Sequence, residues 1–257
     1  MIDFNMPLKK TEAIVLKSQR QGETSKILTL YTLAFGKLTV IAKGARSMRS
    51  KFGGSLELLN YISIVFYEKE TREIQLLSQA DINEFFAGIK QSVEKTALAM
   101  AVCELVNNLE IGIEPNPNLF KLHLEALRAI DKSENSMNVL RAFQVKLLNI
   151  LGVRPDFSTC SKCKSQKQGT VAFDITQGSF ICEACSQSKA AGMILSADSF
   201  DALRSFQRNS LASLNGLLAF ANPQQQVDGF ISAYLKYHVE GLRELKAVKF
   251  LKKIKSN

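Results

Sequence analysis

The chain has no tryptophan and only two histidines in 257 residues. Those histidines, His123 and His238, stand far apart in the sequence, and neither is followed by an acidic partner motif. There is no His-Glu-x-x-His helix and no glycine-rich dinucleotide fingerprint. Gly36-Lys37 shares two residues with a phosphate loop, but Tyr31 holds the place of its first glycine and Leu38 that of its Ser/Thr. Without a motif for hydrolysis, hydride transfer or phosphoryl transfer, the chain is read as non-enzymatic. No apolar run approaches the ~20 residues that span a bilayer. Met1–Lys10 lacks the apolar centre of a signal peptide. A soluble cytoplasmic protein with no membrane contact is therefore expected.

Acid is scarce at both ends. Residues 1–56 hold ten Lys/Arg against three acids, and the last twelve residues hold five lysines and none. The middle is close to neutral, although the whole chain carries +9. A segregated excess of this kind reads as an electrostatic footprint for a polyanion. A lysine-rich surface kept only for solubility is the competing explanation.

With 46% hydrophobic and 22% charged residues, the chain is globular rather than disordered. Its length suits about two domains. Short β-rich runs occur at Ala13–Lys17, Ile27–Tyr31, Lys37–Lys43, Tyr61–Tyr67 and Ile74–Gln79, separated by Gly22, Gly36, Gly44, Gly53 and Gly54. Ile62, Ile64 and Phe66 share one face of their run, opposite Tyr61, Ser63, Val65 and Tyr67. Five such strands suit an OB-type barrel. Beyond residue 80 the apolar period becomes helical, at Ser92–Leu109, Leu119–Ile130, Met137–Leu151, Ser199–Gln207 and Gln224–Leu242, with a basic piece from Lys246. The fold class is thus α+β: an N-terminal five-stranded barrel over 1–80, then a helical domain over 81–257 with a cysteine module near 157–188.

Four of the five cysteines fall into two pairs, Cys160-x-x-Cys163 and Cys182-x-x-Cys185. Two intervening residues let a tight turn aim both sulfurs at one ion, and a second such turn completes a tetrahedral shell. Alternation at Val171, Phe173 and Ile175 and a turn at Gln177-Gly178 predict a hairpin that brings the pairs together. Four thiolates suit Zn2+ and leave no position for water, so the zinc is read as structural. Cys103 lies in an apolar helical stripe and reads as an inert core residue.

The densest basic stretch is Lys43-Gly44-Ala45-Arg46-Ser47-Met48-Arg49-Ser50-Lys51. With Lys37 it offers five cations to the backbone of a nucleic acid, on a loop leaving a strand. If Lys37, Lys43, Arg46, Arg49 and Lys51 neutralise five phosphates, log affinity falls against log salt with a slope near roughly −3.5. Tyr61 and Tyr67, on the outward face, are candidates for stacking on bases or, alternatively, for packing under the helices.

Gly22-Glu23-Thr24, Ile27-Leu28-Thr29-Leu30-Tyr31-Thr32, Gly36-Lys37-Leu38, Lys43-Gly44-Ala45-Arg46 and Leu56-Glu57 occur in this order along the first quarter of the chain. Together these stretches resemble the start of the bacterial RecO DNA repair family. Arg154-Pro155 before a cysteine pair and the terminal Leu245-Lys246, Lys249-Phe250-Leu251 are similar to its later part. One departure is Ser47-Met48 after Arg46, where the family commonly adds another basic residue. The resemblance implies a recombination mediator that binds single- and double-stranded DNA through the barrel and anneals complementary strands. With RecR, such a protein helps RecA load onto DNA covered by single-strand-binding protein. The acidic, apolar C-terminal tail of single-strand-binding protein is then an expected partner, in a helical-domain groove near Arg128 and Arg141. A cytoplasmic, nucleoid-associated location follows. Three other readings stay open: an RNA-binding or transcription-associated factor, a zinc hydrolase with an open metal position, and a pure adaptor.

Overall fold

The computed structural model describes residues 7–109, 113–166, 169–186, 192–216, 224–240 and 245–255. Parts of the cysteine module, the end of the Gln224–Leu242 run and the first six residues lie outside that description. Its described residues form two compact units, one within Met1–Asp131 and Leu245–Asn257, the other within Lys132–Glu244.

In the first unit, β1 (Leu8–Gln21), β2 (Ser25–Thr32), β3 (Gly36–Ala42), β4 (Tyr61–Tyr67) and β5 (Ile74–Glu84) close into a barrel in the order β1-β2-β3-β5-β4. Closure depends on the length of β1. Its first half pairs with β4 and its second half with β2, and a bulge between Val15 and Lys17 bends it from one to the other. The parallel pairing of β3 with β5 completes the ring. Alternation sends Ala13, Val15, Leu28, Leu30, Val40, Ile62, Ile64 and Phe66 inward, all at most 1% exposed. The five-stranded barrel followed by helices is the architecture read from the sequence.

The same unit contains α1 (Ala87–Lys90), α2 (Val93–Asn108), α3 (Pro117–Lys132) and α7 (Lys246–Lys255). Asn116 accepts from the Leu119 amide at 3.0 Å, capping a helix whose first residue is a proline. α2 is buried on most sides because α7 packs on it with Leu245, Ala247 and Leu251 inward. The basic C-terminal piece is thus part of this unit's packing.

Between α2 and α3, Cys103 Sγ lies 3.3 Å from His123 Nε2. Burial pushes the Cys103 thiol up and holds the His123 imidazole down, at about 3. In the unfolded chain a histidine titrates near ~6.5. Below that pH the unfolded state takes up a proton that the folded state refuses. The contribution is therefore intact above the unfolded value and lost as pH falls toward the folded one. Urea unfolding is expected to show wild type losing about 3 kcal/mol more than His123→Leu between pH 6.5 and 4. Equal acid sensitivity of the two proteins would refute this.

In the second unit, α4 (Ser136–Ile150), α5 (Ala197–Arg208) and α6 (Gln224–His238) pack with a small sheet of order β7-β6-β8. Its strands are β6 (Val171–Asp174), β7 (Ser179–Cys182) and β8 (Met193–Leu195). Phe173 meets Phe230 at 4.9 Å, Phe180 meets Phe200 at 4.8 Å and Phe157 meets Phe200 at 5.3 Å, each in an edge-on arrangement. The hairpin is therefore rooted in an aromatic core supplied by α5 and α6. No helix among the described residues is long and apolar enough to cross a membrane.

Candidate nucleic-acid interface and metal centre

Residues 43–60 join β3 to β4 as a run of linked turns. The amides of Ser47, Ser50, Ser55, Glu57 and Asn60 donate to the carbonyls of Gly44, Ser47, Phe52, Gly54 and Glu57. Ala45, Phe52 and Leu56 from this loop belong to the barrel core. Asn60, fully buried, donates to Gly54 O at 2.9 Å and Ser55 O at 3.2 Å and accepts from Lys90 Nζ. The Val15 amide donates to Asn60 O at 3.1 Å and the Leu59 amide to Val15 O at 3.0 Å, which ties the loop to the β1 bulge. An ordered loop loses little conformational entropy when it binds.

Its outward side is cationic. Lys43, Arg46, Arg49 and Lys51 are all exposed, and no salt bridge among the described residues involves them. The first acid after them, Glu57, is held by Lys26 at 3.0 Å. Arg46 also braces the β1–β2 turn, its amide donating to Thr24 O at 2.8 Å and its Nη1 to Gly22 O at 3.2 Å.

Lys37 stands apart from this group. Its Nζ donates to Asn107 O at 2.7 Å and Leu109 O at 3.3 Å, closing carbonyls at the C-terminal end of α2. Burial, with Lys17 nearby, lowers its pKa. Gly36 beside it, at φ +62, has room for no side chain: a Cβ would meet Ile113 O at 2.4 Å. The Gly36-Lys37 pair thus joins the barrel to the α2–α3 connection, and its ammonium is committed there.

The two tyrosines, candidates for stacking or for packing under the helices, differ in exposure. Tyr61 is only 8% exposed, with its ring 6.3 Å from that of Phe120 and Arg128 above it at 5.8 Å. Burial raises its pKa. Tyr67 is half-buried, opposite Leu8 and Leu76. Of the two, Tyr67 keeps more exposed surface. Arg128 and Arg141 are ion-paired as well. Arg128 bonds Glu84, while Arg141, itself buried, makes a two-pronged contact with Asp228 at 2.7 and 2.9 Å.

In the second unit the four cysteine sulfurs, Cys160, Cys163, Cys182 and Cys185, lie within 4.8 Å of one another and could hold a metal ion. The β6–β7 hairpin carries Cys182 at its end, and a short 3-10 turn over Glu183–Cys185 follows directly. The first pair sits in a tight turn where the Lys164 amide donates to Cys160 O at 3.0 Å and the Cys160 amide to Ser165 O at 2.9 Å. Lys164 adopts a left-handed φ of 60 there. The Cys182 amide donates to Cys160 Sγ at 3.3 Å. Ser165, 2.8 Å from Cys163 Sγ, holds that thiol down at about 6, whereas Cys185, sharing its proton with Cys163, is pushed up. Amide and hydroxyl donors aimed at sulfur favour the thiolate, the form that binds metal.

Comparison with known proteins agrees with both halves of this architecture. The family model for the recombination protein O N terminal matches residues 6–86, and that for its C terminal matches residues 90–247. The DNA repair protein RecO of Desulforamulus reducens is 31% identical over 254 residues, covering 98% of this chain and 97% of the relative. Those of Shouchella clausii and Bacillus subtilis are each 30% identical, over 96% and 97% of this chain and 95% and 96% of theirs. Matched through both halves and nearly end to end, the chain belongs to the RecO family.

Proposed function

We propose that this protein is a non-enzymatic, DNA-binding recombination mediator acting in DNA repair. The observation that carries the reading is the anchored loop, which presents Lys43, Arg46, Arg49 and Lys51 to solvent without a carboxylate partner among the described residues. Cations on a rigid turn suit phosphates of either single- or double-stranded DNA, and phosphate contacts position a protein without reading sequence. Lys37 and Tyr61 are left out of this surface, because one ammonium and one ring are already occupied inside the fold.

Family membership further supports annealing of complementary strands, partnership with RecR, contact with the tail of single-strand-binding protein, and RecA loading through these partners. A cytoplasmic, nucleoid-associated protein is the matching location. In the tail interaction, Arg128 and Arg141 serve as structural ion pairs rather than as free anion receptors. The cysteine cluster is assigned to structural zinc. Four sulfurs around an ion at ~2.3 Å stand about 3.8 Å apart along each tetrahedral edge. Cys163 and Cys182 Sγ are 3.7 Å apart. With all four ligands from protein, the zinc would hold the two turns together and activate no water.

The test is strand annealing with fluorescent complementary oligonucleotides, bare and coated with single-strand-binding protein. Acceleration in both conditions, lost in Arg46→Ala/Arg49→Ala, is expected. Equal acceleration by wild type and this variant, or preferential binding of RNA, would remove the proposal.

A further inference from the structure

We propose that Met48 is a wedge that enters the base stack of bound DNA while the flanking arginines hold the phosphates. The inference deepens the reading of the loop as a DNA-contact surface and rests on it. Met48 is 105% exposed, more than any other exposed large hydrophobic side chain among the described residues. It does not project from a loose tail. The Ser47 amide closes a turn on Gly44 O at 3.1 Å, and the Ser50 amide closes the next on Ser47 O at 3.1 Å. Ala45 and Phe52, on either side in sequence, are fixed in the barrel core. The fold therefore holds an unbranched apolar side chain in water between two exposed cations, Arg46 and Arg49.

That sequence of groups selects among anionic partners. A lipid surface is gripped by an extended apolar face, and one methionine supplies too little buried area for it. An acidic peptide offers no regular array of flat apolar faces between its charges. A nucleic-acid strand does, because stacked bases lie within one residue's reach of successive phosphates. Methionine is among the side chains suited to partial insertion between bases, and its polarizable thioether contacts aromatic rings favourably. Such insertion unstacks one step, which phosphate contacts alone do not do. A strand held open in this way is ready for pairing.

The experiment uses the full chain and single-stranded oligonucleotides carrying 2-aminopurine, whose emission rises on unstacking, at several internal positions. Wild type is expected to raise the emission on binding. Met48→Ala is expected to lose most of the rise and about tenfold in affinity while keeping the salt slope. Met48→Leu should keep all three. A wild-type complex without the rise, or a Met48→Ala protein with the full rise and affinity, overturns the wedge. Arg46→Ala/Arg49→Ala separates the two levels. If it binds like wild type, the loop reading falls and the wedge with it. If it weakens binding while Met48→Ala is silent, only the wedge falls.

Discussion

Stripping zinc from the folded chain with a chelator is expected to unfold much of the unit within 132–244 and leave the barrel standing. Metal binding to a four-cysteine site is coupled to folding and contributes on the order of 10 kcal/mol. That is as large as the whole stability of a typical domain. Structurally, the site ties the Cys160–Cys163 turn to the end of the β6–β7 hairpin, whose Phe173 and Phe180 pack into the aromatic core of the same unit. Cys160→Ala/Cys163→Ala should reproduce the chelator effect, with lower solubility and weaker far-ultraviolet helical signal. The salt dependence of DNA binding should survive in both cases, because the cationic loop belongs to the other unit. Metal analysis of freshly purified, folded protein is expected to give about one zinc per chain. A well-folded preparation with well under that ratio would refute the assignment.

The second large effect is electrostatic. With Lys37 committed to the end of α2, four loop cations remain, and the slope of log affinity against log salt should be near roughly −2.8 instead of −3.5. Between 50 and 200 mM salt this corresponds to about a fiftyfold loss of affinity for single-stranded DNA. Arg46→Ala/Arg49→Ala should flatten the slope by roughly 1.4 and cost about twentyfold at 100 mM salt, with little dependence on sequence. The competing location is the lysine-rich C-terminus. Deleting it is a poor control, because Ala247 and Leu251 of α7 are buried and their removal would uncover α2. Replacing the exposed Lys246 and Lys249 by Gln leaves that packing in place. If the lysine variant abolishes binding while the arginine variant keeps affinity and slope, the loop is not the site.

The sequence by itself determined the parts of this protein that depend on short-range rules. Short β-rich runs between glycines marked the barrel strands, and period-two alternation set the inward face of Tyr61–Tyr67, since neighbouring side chains on a strand face opposite sides. Period 3.6 marked the helices, and Cys-x-x-Cys spacing marked the metal cluster, because a tight turn needs only local residues. The basic loop was legible as charge. Only the tertiary structure decided which of its cations are free, and it separated Lys37 from Lys43 through carbonyls some seventy residues away in the chain. Tyr61 was likewise assigned by Phe120 and Arg128, which alternation within one strand does not reveal. The buried Arg141–Asp228 pair, the joining of α7 to the barrel's unit and the rooting of Phe52 and Leu56 beneath the loop are of the same kind. Each is a contact between segments distant in sequence, and such contacts are set by how the elements pack rather than by the pattern within any one of them.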